Sequence, residues 1–245
     1  HLSENTDKTK VLVTGTAKPK IYLNGSLVEV VSEYQYLGLT VRRDLSWASV
    51  LHNIGAKVKA RTAQLFTFFS NNYLSVKARL KLYEASVLPL IQYGSGVWWT
   101  TPVQLEQLER LQLRCLRIIL GTARTTTTAG VLAESGALTV AALLDKAKLK
   151  FVGHLETIDH SRLVSKLYRH PLQCNAGRDP WRSRVQALLG LYDLQSSLVL
   201  LQDGTLSYEE WCSKVTSKVL QHHCSKLKKR LAEAVKCSHL LETNP

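Results

Sequence analysis

Glu33-Tyr34-Gln35-Tyr36-Leu37-Gly38-Leu39-Thr40-Val41 is the stretch on which the reading of this chain turns. Tyr34, Tyr36, Leu39 and Val41 are aromatic, β-branched or bulky apolar residues that suit a pleated, half-buried surface, so the stretch predicts a strand. Gly38 interrupts it and predicts a bulge or a point where another backbone comes close. Arg42, Arg43 and Asp44 follow at once, then Trp47. Two readings stay open from these residues: an edge strand with solvated arginines, or a docking point with positive charge just past it.

Working outward toward the N-terminus, Val11-Leu12-Val13 and Ile21-Tyr22-Leu23 read as strands, and Asn24-Gly25 is a strong hairpin signal leading into Leu27–Val31. The expectation is a small antiparallel β region that needs a neighbouring layer to cover one face. The chain has no Met and opens on His1, which fits a piece of a longer polypeptide, a processed product or an expression variant.

After Trp47 the pattern changes to helix. Leu51, Ile54, Val58, Leu65 and Phe69 recur at helical spacing. Ser75 is placed to cap a second helix with Leu80, Tyr83 and Val87 as its stripe, and Pro89 is placed to kink or end it. Tyr93-Gly94-Ser95-Gly96 reads as a break. Thr101, Pro102 and Gln104 together predict a capped helix start, and Gly121 its end. Residues 129–168 read as helices, 171–182 as a linker, and the remainder as a peripheral helical region with a basic stripe at Lys226, Lys228, Lys229 and Arg230.

The formal net charge is +13, which points to a polyanionic partner, nucleic acid rather than membrane. Residues 42–81 hold eight Lys or Arg against the single acid Asp44, so +7 of the charge lies within 40 residues. Such a run is either a solvated face or a phosphate-binding surface. Lys57 and Arg61 share a helix face, with Lys59 around the side; Lys77, Arg79 and Lys81 fall on the first turns of the next helix. Trp98-Trp99 is either core packing or a stacking platform for bases.

Little points to chemistry. No Asp-Asp pair, no C-x-x-C and no Gly-rich phosphate loop is present, and His222-His223-Cys224 is the one His/Cys cluster. The five cysteines are odd in number and widely spaced, as in reduced thiols of an intracellular protein. No apolar run has the length of a membrane span, and the N-terminus has no signal pattern.

In order and spacing, these motifs resemble the C-terminal part of reverse transcriptases from non-LTR (LINE-like) retrotransposons. Asn5-Thr6-Asp7-Lys8-Thr9 is similar to that family's N-x-x-K-T element, and Tyr34 through Gly38 to its Y-x-Y-L-G primer-grip element at the palm–thumb junction. Leu39-Thr40-Val41 and Leu45-Ser46-Trp47 match its usual continuation. Leu88-Pro89, Tyr93-Gly94 and Trp98 resemble its L-P-x-x-x-Y-G-x-x-x-W run, and Leu116-Arg117-Ile118-Ile119-Leu120-Gly121 its L-R-x-I-L-G helix end. Phe151-Val152-Gly153-His154 and Arg162 weakly resemble a downstream element. Gly96 departs from the pattern, standing where the family often has an acidic residue.

The resemblance implies an α+β chain. The end of a polymerase palm lies in residues 1–48, a helical thumb in 49–125, a connector in 126–170, and a linker with a basic helical region in 171–245. It implies an RNA-directed DNA polymerase region that grips primer–template without holding the catalytic aspartates, and so inactive alone. The partners implied are RNA, DNA or an RNA–DNA hybrid, and the upstream fingers and palm. The chain itself would bind no cofactor, Mg2+ being expected in the intact polymerase. The location implied is intracellular, nuclear or cytoplasmic. Lys8 would be a candidate general acid. Tyr36, Leu37 and Gly38 would pack under the primer end, and Arg42, Arg43, Lys57, Lys59, Arg61, Lys77, Arg79 and Lys81 would meet phosphates. A non-enzymatic interaction module derived from such an element is the alternative.

Overall fold

The computed structural model describes residues 9–15, 19–169 and 180–242. Six short strands come first. β1 (Lys10–Leu12) pairs with β4 (Glu29–Val31), in register Val11 to Val30. The pair is parallel, which corrects the expectation of an all-antiparallel region. β2 (Tyr22–Leu23) and β3 (Ser26–Leu27) form the expected hairpin. Its turn residues Asn24 and Gly25 have φ of 49° and 79°, the positive pair that a two-residue type I′ turn demands.

The stretch through Gly38 is two strands, not one interrupted strand. β5 (Glu33–Tyr36) turns at Leu37-Gly38 and returns as β6 (Leu39–Arg42), antiparallel, with Tyr36 opposite Leu39. Leu37 and Gly38 have φ of 47° and 79°. Gly38 adopts this at no steric cost. Leu37 does so under strain of about 1 kcal/mol or more, which something else must hold. That something is Tyr93, whose hydroxyl donates to the Leu37 carbonyl at 2.5 Å. Gly94 receives the returning strand, since a Cβ there would lie 2.7 Å from Leu39 Cδ1.

The rest is helical. α1 (Ala48–Gln64) breaks at Leu65 into α2 (Phe66–Phe69), and α3 (Val76–Ser86) opens at Ser75, whose hydroxyl accepts from the Ala78 amide. α4 (Leu88–Gln92) carries Pro89 in its first turn, so the expected break falls at Val87. α5 (Pro102–Leu120) has the full capping box between Thr101 and Gln104 and ends on Gly121 in the left-handed region. α6 (Thr128–Ser135), α7 (Val140–Thr157) and α8 (Leu163–Arg169) follow. α9 (Pro180–Leu191) takes in Pro180, which had read as linker. α10 (Gln195–Gln202) and the long α11 (Tyr208–Glu242) close the chain.

Two apolar cores organise these helices. The first joins α1 to α6 around Val58, Phe69, Tyr83, Trp98, Leu116 and Ile119. The second joins α7, α9, α10 and α11 around Leu149, Leu189, Leu194, Trp211 and Val215. The C-terminal helices are therefore a core and not a periphery. α7 serves both, with Val140 and Leu144 in the first and Leu149 and Val152 in the second. No single described helix is long and apolar enough to cross a membrane; α6 and α7 pass only as a bent pair, and they carry core residues.

Candidate nucleic-acid interface

The residues singled out in the sequence do not form one surface. The β5–β6 tip presents Tyr36 and Leu37 outward, 63% and 72% exposed. Gly38 sits against the Tyr93 ring. Arg42 and Arg43, just past the hairpin, are committed within the chain. Arg42 Nε pairs with Asp44 at 3.3 Å and its Nη1 donates to the Ser49 hydroxyl at 3.4 Å. Arg43 Nε donates to the Gly15 carbonyl at 2.7 Å. Arg42 fastens the β region to the start of α1, and Arg43 ties the β6 end to the loop after β1.

On α1, Lys57, Lys59 and Arg61 are all exposed. Lys59 is turned about 200° from each of the other two along a 3.6-residue helix, so it serves a different flank. On α3, Lys77 and Lys81 are exposed and one turn apart. Arg79 between them is 7% exposed, and its Nη1 donates to the Phe69 carbonyl at 3.0 Å. The expectation of a phosphate contact at Arg79 is corrected here: the side chain closes the C-terminal end of α2 inside the first core. Lys8 lies outside the described residues, with most of the Asn5–Thr9 motif.

Trp98 and Trp99 are packing residues. Trp98 is fully buried and its Nε1 donates to the Tyr93 carbonyl at 3.0 Å. The Lys148 ammonium stands 5.4 Å from the Trp98 ring centroid and 4.8 Å from that of Trp99. Burial pulls Lys148 down to about 8, against the opposing pull of Asp145. Asp145, itself pushed up by burial, accepts from the Tyr192 hydroxyl at 2.8 Å. This cluster joins the two cores rather than facing solvent. Burial also pushes the Cys115 thiol up to about 12, so it is an inert core thiol. Among the described residues no cluster of three His, Cys, Asp or Glu side chains is placed to hold a metal ion.

Sequence reasoning missed a different basic surface. Arg110, Arg114 and Arg117 of α5 fall at i, i+4 and i+7 and share one face. Across from them stand Lys59 and Phe66 from α1 and α2, and Arg124 lies past Gly121. The signal was the helical spacing, readable once Thr101 and Gly121 had fixed the helix.

Over 105 residues the chain is 29% identical to the RNA-directed DNA polymerase from mobile element jockey of Drosophila melanogaster, and 28% identical to its counterpart in Drosophila funebris. Over that stretch the chain is a relative of non-LTR retrotransposon reverse transcriptases. The match takes in 42% of this chain and 12% of each relative, so the chain spans a small part of the curated proteins it matches. No protein-family model matches the chain. No solved structure matches it. The departure at Gly96 has a steric reason in this fold: a Cβ there would stand 2.9 Å from Phe151 Cβ and Cγ, leaving no room for an acidic side chain.

Proposed function

We propose that this chain is the palm-end and thumb region of a non-LTR reverse transcriptase and grips nucleic acid through the exposed cations of its helical body. The observation that carries this reading is the similarity to the jockey polymerases. The β5–β6 hairpin would be the primer grip and α1–α5 the thumb. The connector and C-terminal helices, sharing α7, would act as one brace behind it. Two-metal nucleotidyl transfer would be supplied by the polymerase palm, and no step of it is assigned to residues described here. What these residues do is bind and orient: Lys57, Arg61, Lys77 and Lys81 meet phosphates, and the Tyr93-anchored hairpin tip offers Tyr36 and Leu37 to the primer end. In the cell this reading puts RNA, DNA or their hybrid on the chain as partner.

Fluorescence anisotropy of the purified chain with a labelled RNA–DNA primer–template, across a salt series, tests the proposal. Binding should fall steeply with salt, with a log–log slope of about −0.9 per neutralised phosphate by the duplex DNA rule. Reversing Lys57, Arg61 and Lys77 to Glu should weaken it at least tenfold. A folded sample that fails to bind at low salt overturns the proposal and favours a protein-interaction module.

A further inference from the structure

A trough runs between α1–α2 and α5. Three cavities merge along it: Phe66, Arg114 and Ile118 line two of them together, Lys59 and Leu111 bridge to the third, and Arg110 borders both ends. No Asp or Glu lines any of the three. The floor is apolar, from Leu111 and Ile118. One wall is the arginine ridge of α5, which spans about 10 Å at the 1.5 Å rise of a helix. Phe66, 52% exposed, rises from the other wall.

The cations are differently engaged. Arg110 pairs with Glu106 at 2.6 Å, and Arg117 donates to the Thr126 carbonyl at 3.0 Å. Lys59, Arg114 and Arg124 make no ion pair among the described residues. Arg117 Nε and the Thr122 hydroxyl, both at the Arg124 end, are buried without a hydrogen-bond partner. Charge of one sign is thus concentrated along a line, offset by a carboxylate at Arg110 and left without one at Lys59, Arg114 and Arg124 among the described residues.

We infer that this trough holds a single-stranded nucleic acid, its phosphates on the α5 ridge and a base on Phe66. The inference rests on the nucleic-acid reading above and names the strand that the α1–α5 side takes. Every nucleotide offers an anion and a flat π face, which is what a line of arginines beside an exposed aromatic ring accepts. A duplex offers only the anion, because its bases are paired and stacked and cannot reach a ring inside a trough. The Lys57 and Arg61 flank of α1 is left for the paired part.

The test measures binding of the full chain to single-stranded RNA and single-stranded DNA of mixed sequence, and to an RNA–DNA duplex, with polyglutamate as competitor. Arg110→Glu with Arg114→Glu, and separately Phe66→Ala, alter exposed side chains; unchanged helical circular dichroism confirms the fold. The double reversal should cost at least tenfold in affinity for either single strand and lower the salt slope by about 1.4, two contacts at 0.7 each. Phe66→Ala should cost about tenfold with the salt slope unchanged, since stacking releases no counterions. Duplex affinity should change less than twofold in both. Single-strand binding unaffected by either change overturns the trough and leaves the thumb reading standing. Equal losses on duplex, or displacement by polyglutamate, overturn the single-strand assignment. A wild-type chain that binds none of the three overturns both readings.

Discussion

The N-terminal strands and the helical body solve the problem of burial in opposite ways. Among the described residues before α1, Val28 is the one buried apolar side chain, while Tyr22, Leu27, Tyr36 and Leu37 stand more than half exposed. The strands are two to four residues long and pair only two at a time. Two-stranded sheets of this size are marginal in water. The helices, by contrast, enclose two cores whose largest side chains, Trp98 and Trp211, are fully buried. The body can hold itself together. The β region is held to it by point contacts, chiefly the Tyr93 hydroxyl and the Arg42 side chain, and leaves apolar surface uncovered. Substitutions should therefore act globally in the body and locally in the strands.

The largest effect is expected where α11 crosses α7. A Cβ on Gly153 would fall 2.2 Å from Cδ1 and Nε1 of Trp211, and that indole is fixed by its donation to the Leu149 carbonyl at 3.0 Å. Neither helix can yield without opening the second core. Gly153→Ala should lower unfolding stability by about 3 kcal/mol or more, the upper range for overpacking. A urea melt reads this directly, and an unmoved midpoint would mean that α11 is not docked as described.

A smaller effect lies at the joint between the cores. Lys148 titrates near 8 in the folded chain against 10.5 for a free lysine. The unfolded chain thus takes up this proton first as pH falls. Stability from the site is present at high pH, is lost between about 10.5 and 8, and is level below that. Lys148→Met keeps the length of the side chain and removes the buried charge. Linkage sets a ceiling of about 3 kcal/mol. The net gain at neutral pH should be nearer 1 kcal/mol, because the rings lose a cation and Asp145 loses its opposite charge. The gain should shrink toward pH 10. Urea midpoints of both proteins at pH 7.5 and 10 check it; a gain that grows with pH would contradict the assigned burial.

The sequence was most legible where structure is decided locally. Ser75, Pro89, Thr101 with Gln104, Gly121 and the Asn24-Gly25 turn act within four residues of themselves, and each does what its chemistry predicts. What could not be read depends on distant partners. Leu37 takes a left-handed conformation that its own preferences oppose, held by a hydroxyl 56 residues away. Arg79 looks like a surface cation until Phe69 offers it a carbonyl. The second core depends on Gly153 meeting Trp211, and nothing near either announces the other. The α5 ridge was hidden for another reason. Counting charge along the chain sets Glu109 against its arginine neighbours, whereas the helix turns Glu109 away to a cavity shared with His223 and Arg230.

The smallest effect should separate the two regions most cleanly. Tyr93→Phe removes one hydrogen bond, worth about 1 kcal/mol, and keeps the ring against Gly38. If the hairpin is fastened to the body by this contact, the loss falls on the hairpin alone. Amide exchange of residues paired across β5 and β6, such as Tyr34 and Tyr36, should quicken about fivefold, the exchange equivalent of that energy. The urea midpoint of the helical body should stay where it is. A body midpoint that falls along with hairpin protection would mean that the strands and helices unfold as one unit, and that the β region contributes to a stability it was taken only to borrow.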